Sequence, residues 1–159
     1  MNILHFLTPK NEVAFLYDDY SLRQALEKME YHQYSAIPVI TREGEYVGVI
    51  TEGDLLWYIK NHNFCNLRAT EEQPLSEVHR RTSAGAVRIN TSIEDLVVSA
   101  MSQNFVPVVD DRNMFIGIVK RKEIIRYCYQ LAFPGQTIDE TGIHPIDPER
   151  RSIPMMGAH

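Results

Sequence analysis

The stretch YSAIPVITREGEYVGVITEGDLLWYI, Tyr34 to Ile59, decides the fold. Ala36 to Ile40 and Tyr46 to Ile50 are apolar runs rich in β-branched residues, and Arg42, Glu43 and Gly44 form the turn between them. Such side chains suit a pleated, half-buried surface, and glycine supplies the positive φ that tight turns demand. After Ile50 the period changes: Leu55, Leu56 and Ile59 fall as on one buried helical face, behind the opening Thr51-Glu52-Gly53-Asp54. The order is hairpin, then helix.

The pattern occurs twice. Phe105 to Val109, a turn from Asp110 to Asn113, a strand from Met114 to Val119 and a helix from Lys120 to Tyr129 repeat it, with Pro38 matching Pro107 and Gly48 matching Gly117 at one and the same offset. Two landmarks at one spacing inside matching apolar patterns indicate internal duplication.

Working outward, Ile3, Leu4, Phe6 and Leu7 before Thr8-Pro9 read as a short apolar turn that packs on the unit that follows. Val13 to Tyr17 reads as a short strand. Ser21 and Gln24 have capping-box spacing, and Leu22, Ala25, Leu26 and Met29 share a face of the helix they open, which ends near His32. In the second copy Ala86 to Ile89 is the short strand. Thr91 with Glu94, or Ser92 with Asp95, caps a helix whose buried face is Ile93, Leu96, Val97, Ala100 and Met101. Ser92 lies two positions further from Ser21 than Pro107 does from Pro38, so the second copy is shorter by two around the end of this helix. Between the copies, Pro74 opens a short helical turn through Ser76, Glu77 and Val78, equivalent to the apolar turn at Ile3. The boundaries expected are 1–60 for the first unit, 61–74 for a linker, 75–130 for the second unit and 131–159 for a Pro/Gly-containing tail. That tail either lies across the body or a partner through Ile138, Ile143, Ile146 and Ile153, or is disordered.

A three-stranded sheet with helices on one face needs cover for the other, which the second copy supplies. The fold class expected is therefore α/β (α+β), with tandem βαββα units forming one pseudo-twofold body.

A formal charge of −5 opposes nonspecific nucleic-acid binding, which feeds on positive charge. No apolar run is long enough to span a bilayer and no basic-then-apolar leader precedes a cleavage site, so the expectation is a cytoplasmic protein without membrane insertion. Cys65 and Cys128 lack a CxxC neighbour and read as buried free thiols. The six histidines form no HxxxH or HExxH array, no Gly-rich phosphate loop occurs, and no acidic metal cluster is found, so catalysis and resident cofactors or metals are not expected. Trp57 reads as a packed helix anchor.

The strings Ala36-Ile37-Pro38-Val39-Ile40 and Tyr46-Val47-Gly48-Val49-Ile50-Thr51-Glu52-Gly53-Asp54 resemble the signature of the cystathionine-β-synthase (CBS) domain family. Val106 to Val109 with Phe115 to Ile124 resembles a diverged copy. The resemblance covers roughly residues 1 to 130. It implies a non-catalytic sensor that binds an adenosyl ligand in clefts between the two domains: AMP, ADP, ATP, S-adenosylmethionine or cyclic di-AMP. It further implies a disc-like homodimer and an unidentified regulated protein partner. A scaffold that has lost its ligand, with the tail as recognition segment, is the competing reading.

Thr51 and Asp54 have a physical case of their own. A hydroxyl and a carboxylate in a first helical turn can share a ligand-facing edge beside free backbone N–H groups that favour phosphate. The same pair would look identical as a plain capping box. The family motif puts the threonine near phosphate or ribose and the aspartate on ribose. In the second copy Lys120 replaces the threonine and Glu123 the aspartate, inside Lys120-Arg121-Lys122, so phosphate contact by these cations replaces a standard ribose site unless the run is solvated surface. The resemblance points to Ala14, Phe15 and Tyr17 with Ile37 and Pro38 around adenine in the first copy, and to Val87, Ile89, Val106 and Pro107 in the second. Core packing explains each of these equally well. Arg80 and Arg81 precede the second unit, where they could meet phosphate or a partner, or form an exposed linker.

Overall fold

The computed structural model describes residues 2–64, 66–80, 85–136 and 138. Met1–Ile124 is one compact body, and Ile125–His159 is a second. Along the chain run β1 (Leu7–Pro9), β2 (Leu16–Tyr17), α1 (Leu22–His32), β3 (Ala36–Ile40), β4 (Tyr46–Thr51), α2 (Glu52–Asn61), β5 (Val87–Arg88), α3 (Ile93–Ala100), β6 (Phe105–Val109), β7 (Phe115–Lys120) and α4 (Arg121–Ala132). Each repeat is thus strand, helix, strand, strand, helix.

Local chemistry sets the helix starts. The Ser21 hydroxyl accepts from the Gln24 N–H at 3.2 Å while the Gln24 side chain accepts from the Ser21 N–H at 2.8 Å. At α3 the cap is Ser92, whose hydroxyl accepts from the Asp95 N–H at 3.1 Å, which decides between the two capping pairs legible there. α1 closes with Gln33 in the left-handed region at φ 55°. The shorter second copy shows in the helices themselves, eleven residues in α1 against eight in α3.

The two sheets have orders β2-β3-β4 and β1-β7-β6-β5. In each, a two-residue parallel strand meets only the far end of the central strand: Leu16 and Tyr17 pair with Val39 and Ile40, and Val87 and Arg88 with Val108 and Val109. Pro38 and Pro107 therefore sit where the parallel neighbour does not reach, which is how a central strand tolerates a residue without an N–H. Helices cover one face of each sheet. Leu16, Leu22, Ile37, Ile50 and Leu55 fill the first core, and Leu96, Val106, Val108, Val119 and Ile124 the second.

The remaining faces meet each other. Val13, Ile40, Phe115 and Ile118 form a third buried cluster, against which Phe15, Tyr17, Tyr46 and Phe105 pack. The pseudo-twofold relation is visible atom by atom. The Tyr46 N–H donates to the Asn113 carbonyl and the Phe115 N–H to the Gly44 carbonyl, both at 2.9 Å, so each bond is the other's equivalent under the repeat. Glu45 bridges to its own counterpart Met114, and the Tyr46 and Phe115 rings stack with centroids 6.3 Å apart. Burial pushes the Tyr46 hydroxyl up to about 12. Gly44 (φ 94°) and Asn113 (φ 62°) supply the left-handed turns that bring these strands together.

The segments leading into the repeats are exchanged, contrary to the expectation that the apolar turn at Ile3 packs on the unit after it. Ile3 is buried in the second repeat's core, and β1 pairs antiparallel with β7, Thr8 opposite Ile118. Reciprocally, Leu75 and Val78 are buried in the first repeat's core, where Leu22 donates to the Gln73 carbonyl and Leu75 to that of Tyr20, at 2.7 and 2.9 Å. The matched glycines mark the crossings. A Cβ on Gly117 would overlap the Thr8 carbonyl, and one on Gly48 would overlap the Arg80 guanidinium, which donates to the Val47 carbonyl at 2.8 Å.

Four side-chain expectations need correction. α2 buries Asp54, Leu55 and Tyr58, so the adjacent Leu56 (57% exposed) and Trp57 (38% exposed) turn outward, with Lys60 over the indole. Met101 lies past the last turn of α3 and is exposed. Cys128 is a free thiol, but an exposed one. Cys65, Arg81 and the tail from 139 onward, including Ile143, Ile146 and Ile153, lie outside the described residues. In the second body, Tyr129 packs on Phe133 and its hydroxyl donates to Gln136 at 2.9 Å. Among the described residues no helix is long and apolar enough to cross a membrane.

If the glycines serve the crossings, Gly117→Ala loses about 1–3 kcal/mol of unfolding free energy because backbone, not a flexible side chain, opposes the new methyl. Gly85→Ala, with nothing within 4 Å of the added atom, stays within about 0.5 kcal/mol. Urea unfolding of the two variants side by side checks this.

Candidate functional site

α2 and α4 begin where the central strands begin. The Glu52 N–H donates to the Ser35 carbonyl at 2.9 Å and, at the matching place in the second copy, the Arg121 N–H donates to the Asn104 carbonyl at 3.0 Å. Across the seam the Asn104 side-chain amide reaches the Ser35 hydroxyl at 3.4 Å. Two pockets open around this junction. The smaller, about 130 Å³, is lined by Ala36, Val49 and Thr51 of the first repeat and by Ser102, Gln103, Asn104, Phe105 and Arg121 of the second. The larger, about 280 Å³, is lined by Val13, Tyr34, Ala36 and Pro38, and by Asn104, Phe105, Ile118, Lys120 and Lys122. Ala36, Asn104 and Phe105 are walls common to both. The larger pocket opens beside Pro38, where β2 falls short.

The helix start of one repeat therefore faces the strand entry of the other. Thr51 shares its pocket with residues 102–105 and Arg121, not with Ala14, Phe15 and Tyr17, and Pro38 shares its pocket with Lys120. A grouping by repeat, as the linear sequence suggests, is replaced by a crossed one.

Thr51 and Asp54 form a complete capping box: the Thr51 hydroxyl accepts from the Asp54 N–H at 3.1 Å, and the Asp54 carboxylate accepts from the Thr51 N–H at 2.9 Å. Asp54 is buried, 3% exposed, and lines neither pocket. Glu123 is half-buried in the first turn of α4 and is likewise not a lining residue. Arg121 is held within its own repeat, donating through Nε to the Gln103 carbonyl and through Nη2 to Asn104 Oδ1, both at 2.7 Å. Gln103 donates to the Ser99 carbonyl and, among the described residues, keeps its own Oε1 buried without a partner, an acceptor at the wall of the smaller pocket.

The other expected residues lie elsewhere. Ile37 and Val106 are fully buried in the two helix-side cores, with Ala14 packed on the first and Val87 and Ile89 on the second. Pro107 is fully buried and outside both linings. Phe15 and Tyr17 join an aromatic run with Tyr20 and Phe115. Cations rim it: Lys10 and Lys28 lie over Phe15, and Arg42 lies 4.0 Å from the Tyr17 ring centre. A hydrogen bond from Arg42 holds the Asp19 carboxyl below its usual range, and burial lowers Lys28. Tyr34, Ala36, Gln103, Asn104 and Phe105 were not among the site residues the sequence pointed to. The one available signal was that Asn104 stands to Ser35 as Pro107 stands to Pro38.

A duplicated βαββα unit with openings on the seam between copies defines a tandem domain pair. The CBS-domain profile matches residues 6–61 and 75–130, most of the chain, and the chain belongs to that family. CBS-domain pairs are regulatory, non-catalytic modules. The structure is similar to that of CbpB in complex with c-di-AMP (TM-score 0.74, 24% identity, covering 83% of this chain and 87% of that one). It is also similar to CBSX2 in complex with AMP, a protein of Arabidopsis thaliana (TM-score 0.66, 25% identity, 83% and 98% covered). A curated relative from Methanocaldococcus jannaschii is 20% identical over 146 residues, 84% of this chain, and the chain spans about half, 52%, of that relative's length. Among the described residues no group of histidine, cysteine and carboxylate side chains could hold a metal ion.

Because Asp54 closes a cap, Asp54→Ala costs about 1–2 kcal/mol of stability without any ligand present, whereas Asp54→Asn, which keeps an acceptor, costs less than half of that. Denaturant unfolding of ligand-free protein measures both.

Proposed function

We propose that this protein is a non-catalytic adenine-nucleotide sensor whose ligand binds on the seam between its two CBS domains and alters the contact with a regulated protein. One observation carries the reading: each pocket takes its walls from both repeats, with Ala36, Asn104 and Phe105 common to the two. An occupant there touches both repeats at once, and it shifts an equilibrium to the extent that it favours one arrangement of them. The structural likenesses to CbpB with c-di-AMP and CBSX2 with AMP support an adenine-containing ligand. A sensor of adenine nucleotides works where they are abundant, and we place it in the cytoplasm.

The proposal includes a homodimer. Leu26, Met29, Leu55, Leu56 and Ile59 line an open groove between α1 and α2 that Glu30, Gln33 and Glu52 also border, and a mainly apolar face with a polar border suits a second copy of itself. Leu56→Glu places a charge in that face and should lower the sedimentation-equilibrium association constant at least about tenfold while leaving the unfolding midpoint nearly unchanged.

Calorimetric titration of nucleotide-free protein with AMP, ADP, ATP, S-adenosylmethionine and cyclic di-AMP tests the sensor. Saturable binding is expected for at least one, weakened about tenfold or more by Ala36→Leu, which fills space at the shared wall without changing charge. Absence of heat and of thermal shift with the whole panel refutes the sensor and leaves a protein-binding scaffold.

A further inference from the structure

Away from the seam, the first repeat holds a cavity of about 160 Å³ against the segment that leads into the second. Val39 and Ile50 of the sheet and Leu75 and Val78 of the lead-in line it, all four buried members of the first core. The matching place in the second repeat is closed by a strand: β1 lies along β7 from Leu7 opposite Val119 to Pro9 opposite Gly117. In the first repeat, among the described residues, β4 has β3 as its one strand neighbour. The contact made over Gly48 is a side chain instead, the Arg80 guanidinium donating to the Val47 carbonyl at 2.8 Å. The cavity opens where a lead-in that pairs as a strand in one repeat does not do so in the other.

Its polar groups are of opposite sign. Asp18 and Arg80 both line it, with Ser76 beside them, yet among the described residues the carboxylate and the guanidinium form no ion pair with each other. The adjacent Asp19 is held by Arg42 at 2.8 Å, so of the two neighbouring carboxylates Asp18 is the one left for an outside cation. Arg80 spends one donor on Val47, which fixes the guanidinium and leaves the rest of its fork for a carboxylate. In size the cavity stands well above the roughly 10–15 Å³ that one water needs and below the roughly 300 Å³ at which sites for drug-sized ligands begin, so it suits a small metabolite and not a nucleotide.

We propose that this cavity binds an aliphatic α-amino acid as its zwitterion, the ammonium on Asp18, the carboxylate on Arg80 and the side chain against Val39, Ile50, Leu75 and Val78. Both ends of such a ligand make charge-assisted hydrogen bonds, whereas a ligand with one charge leaves the opposite group unanswered beside apolar walls. An occupant joins the lead-in of the second repeat to the sheet of the first. The proposal goes beyond the nucleotide reading and does not depend on it, since none of the residues of this cavity lines a seam pocket.

The experiment is calorimetric titration of the full chain with leucine and with its two one-charge analogues, 4-methyl-2-oxopentanoate, which lacks the ammonium, and 3-methylbutylamine, which lacks the carboxylate. Saturable leucine binding is expected, at least about tenfold tighter than either analogue. Asp18→Asn should weaken leucine at least about tenfold and leave the oxo acid within about twofold, while Arg80→Gln should weaken leucine and the oxo acid and spare the amine. Ala36→Leu, which fills the seam, should leave leucine binding unchanged. Absence of leucine binding, an analogue that binds as tightly as leucine, or loss of leucine binding in Ala36→Leu overturns the proposal. Equal weakening of leucine and the oxo acid by Asp18→Asn also overturns it, because the aspartate would then be shaping the cavity and not meeting the ammonium. If Arg80→Gln does not fold, the analogue series on the unaltered chain decides. Nucleotide binding retained without leucine binding overturns this proposal alone, and leucine binding without any nucleotide binding overturns the sensor alone.

Discussion

A small sheet with helices on one side only has a second apolar face that it cannot leave in water, and this constraint governs the molecule. Burial is worth about 25 cal/mol per Å² of apolar surface, so a single repeat with that face open would forfeit much of what holds it together. The mate is the other repeat. Val13 and Ile40 from one side and Phe115 and Ile118 from the other close the gap, with Tyr46 stacked on Phe115 at the axis. Once the faces meet, the strand entries and helix starts of opposite repeats are brought to one edge, and the two pockets result.

The same geometry accounts for features that look unrelated in the chain. A proline in a central strand is admissible because β2 and β5 are only two residues long, and the shortness of β2 also leaves the opening beside Pro38. A glycine stands in each closing strand where a segment from the other half of the duplication crosses, and at Gly117 the crossing backbone of Thr8 leaves no room for a side chain. The residues that seem most conspicuous as motif letters are thus first of all the marks of how the copies fit together.

The duplication was plain in the sequence because Pro38, Pro107, Gly48 and Gly117 report on backbone constraints that recur with the fold. Helix starts were equally legible, since Ser21, Thr51 and Ser92 each act on the N–H group three positions away. What could not be read was anything settled at long range. Nothing local in Leu7-Thr8-Pro9 names β7 as its partner. Thr51 carries no sign that its pocket is completed by Gln103 and Asn104. Trp57 and Leu56 have the composition of a core but fall on the outward side of α2, about 100° or more around the helix axis from the middle of its buried face. Threonine and aspartate at the motif positions were expected to meet ligand. Thr51 does line a pocket, while the Asp54 carboxylate faces the backbone of its own helix.

The exchanged lead-ins also bear on how the chain comes to its final form. Thr8 finds its partner Ile118 only across nearly the whole length of both repeats. During synthesis β1 emerges early and stays an unpaired edge until β7 has been made, whereas the first repeat is completed by residues 73–78, soon after its own last helix. The first half can close on itself while the second half cannot, despite their common plan. Duplication has produced two units alike in structure and unlike in the order in which the chain supplies their parts, with the contact of highest sequence separation, the kind that slows folding, placed in the second.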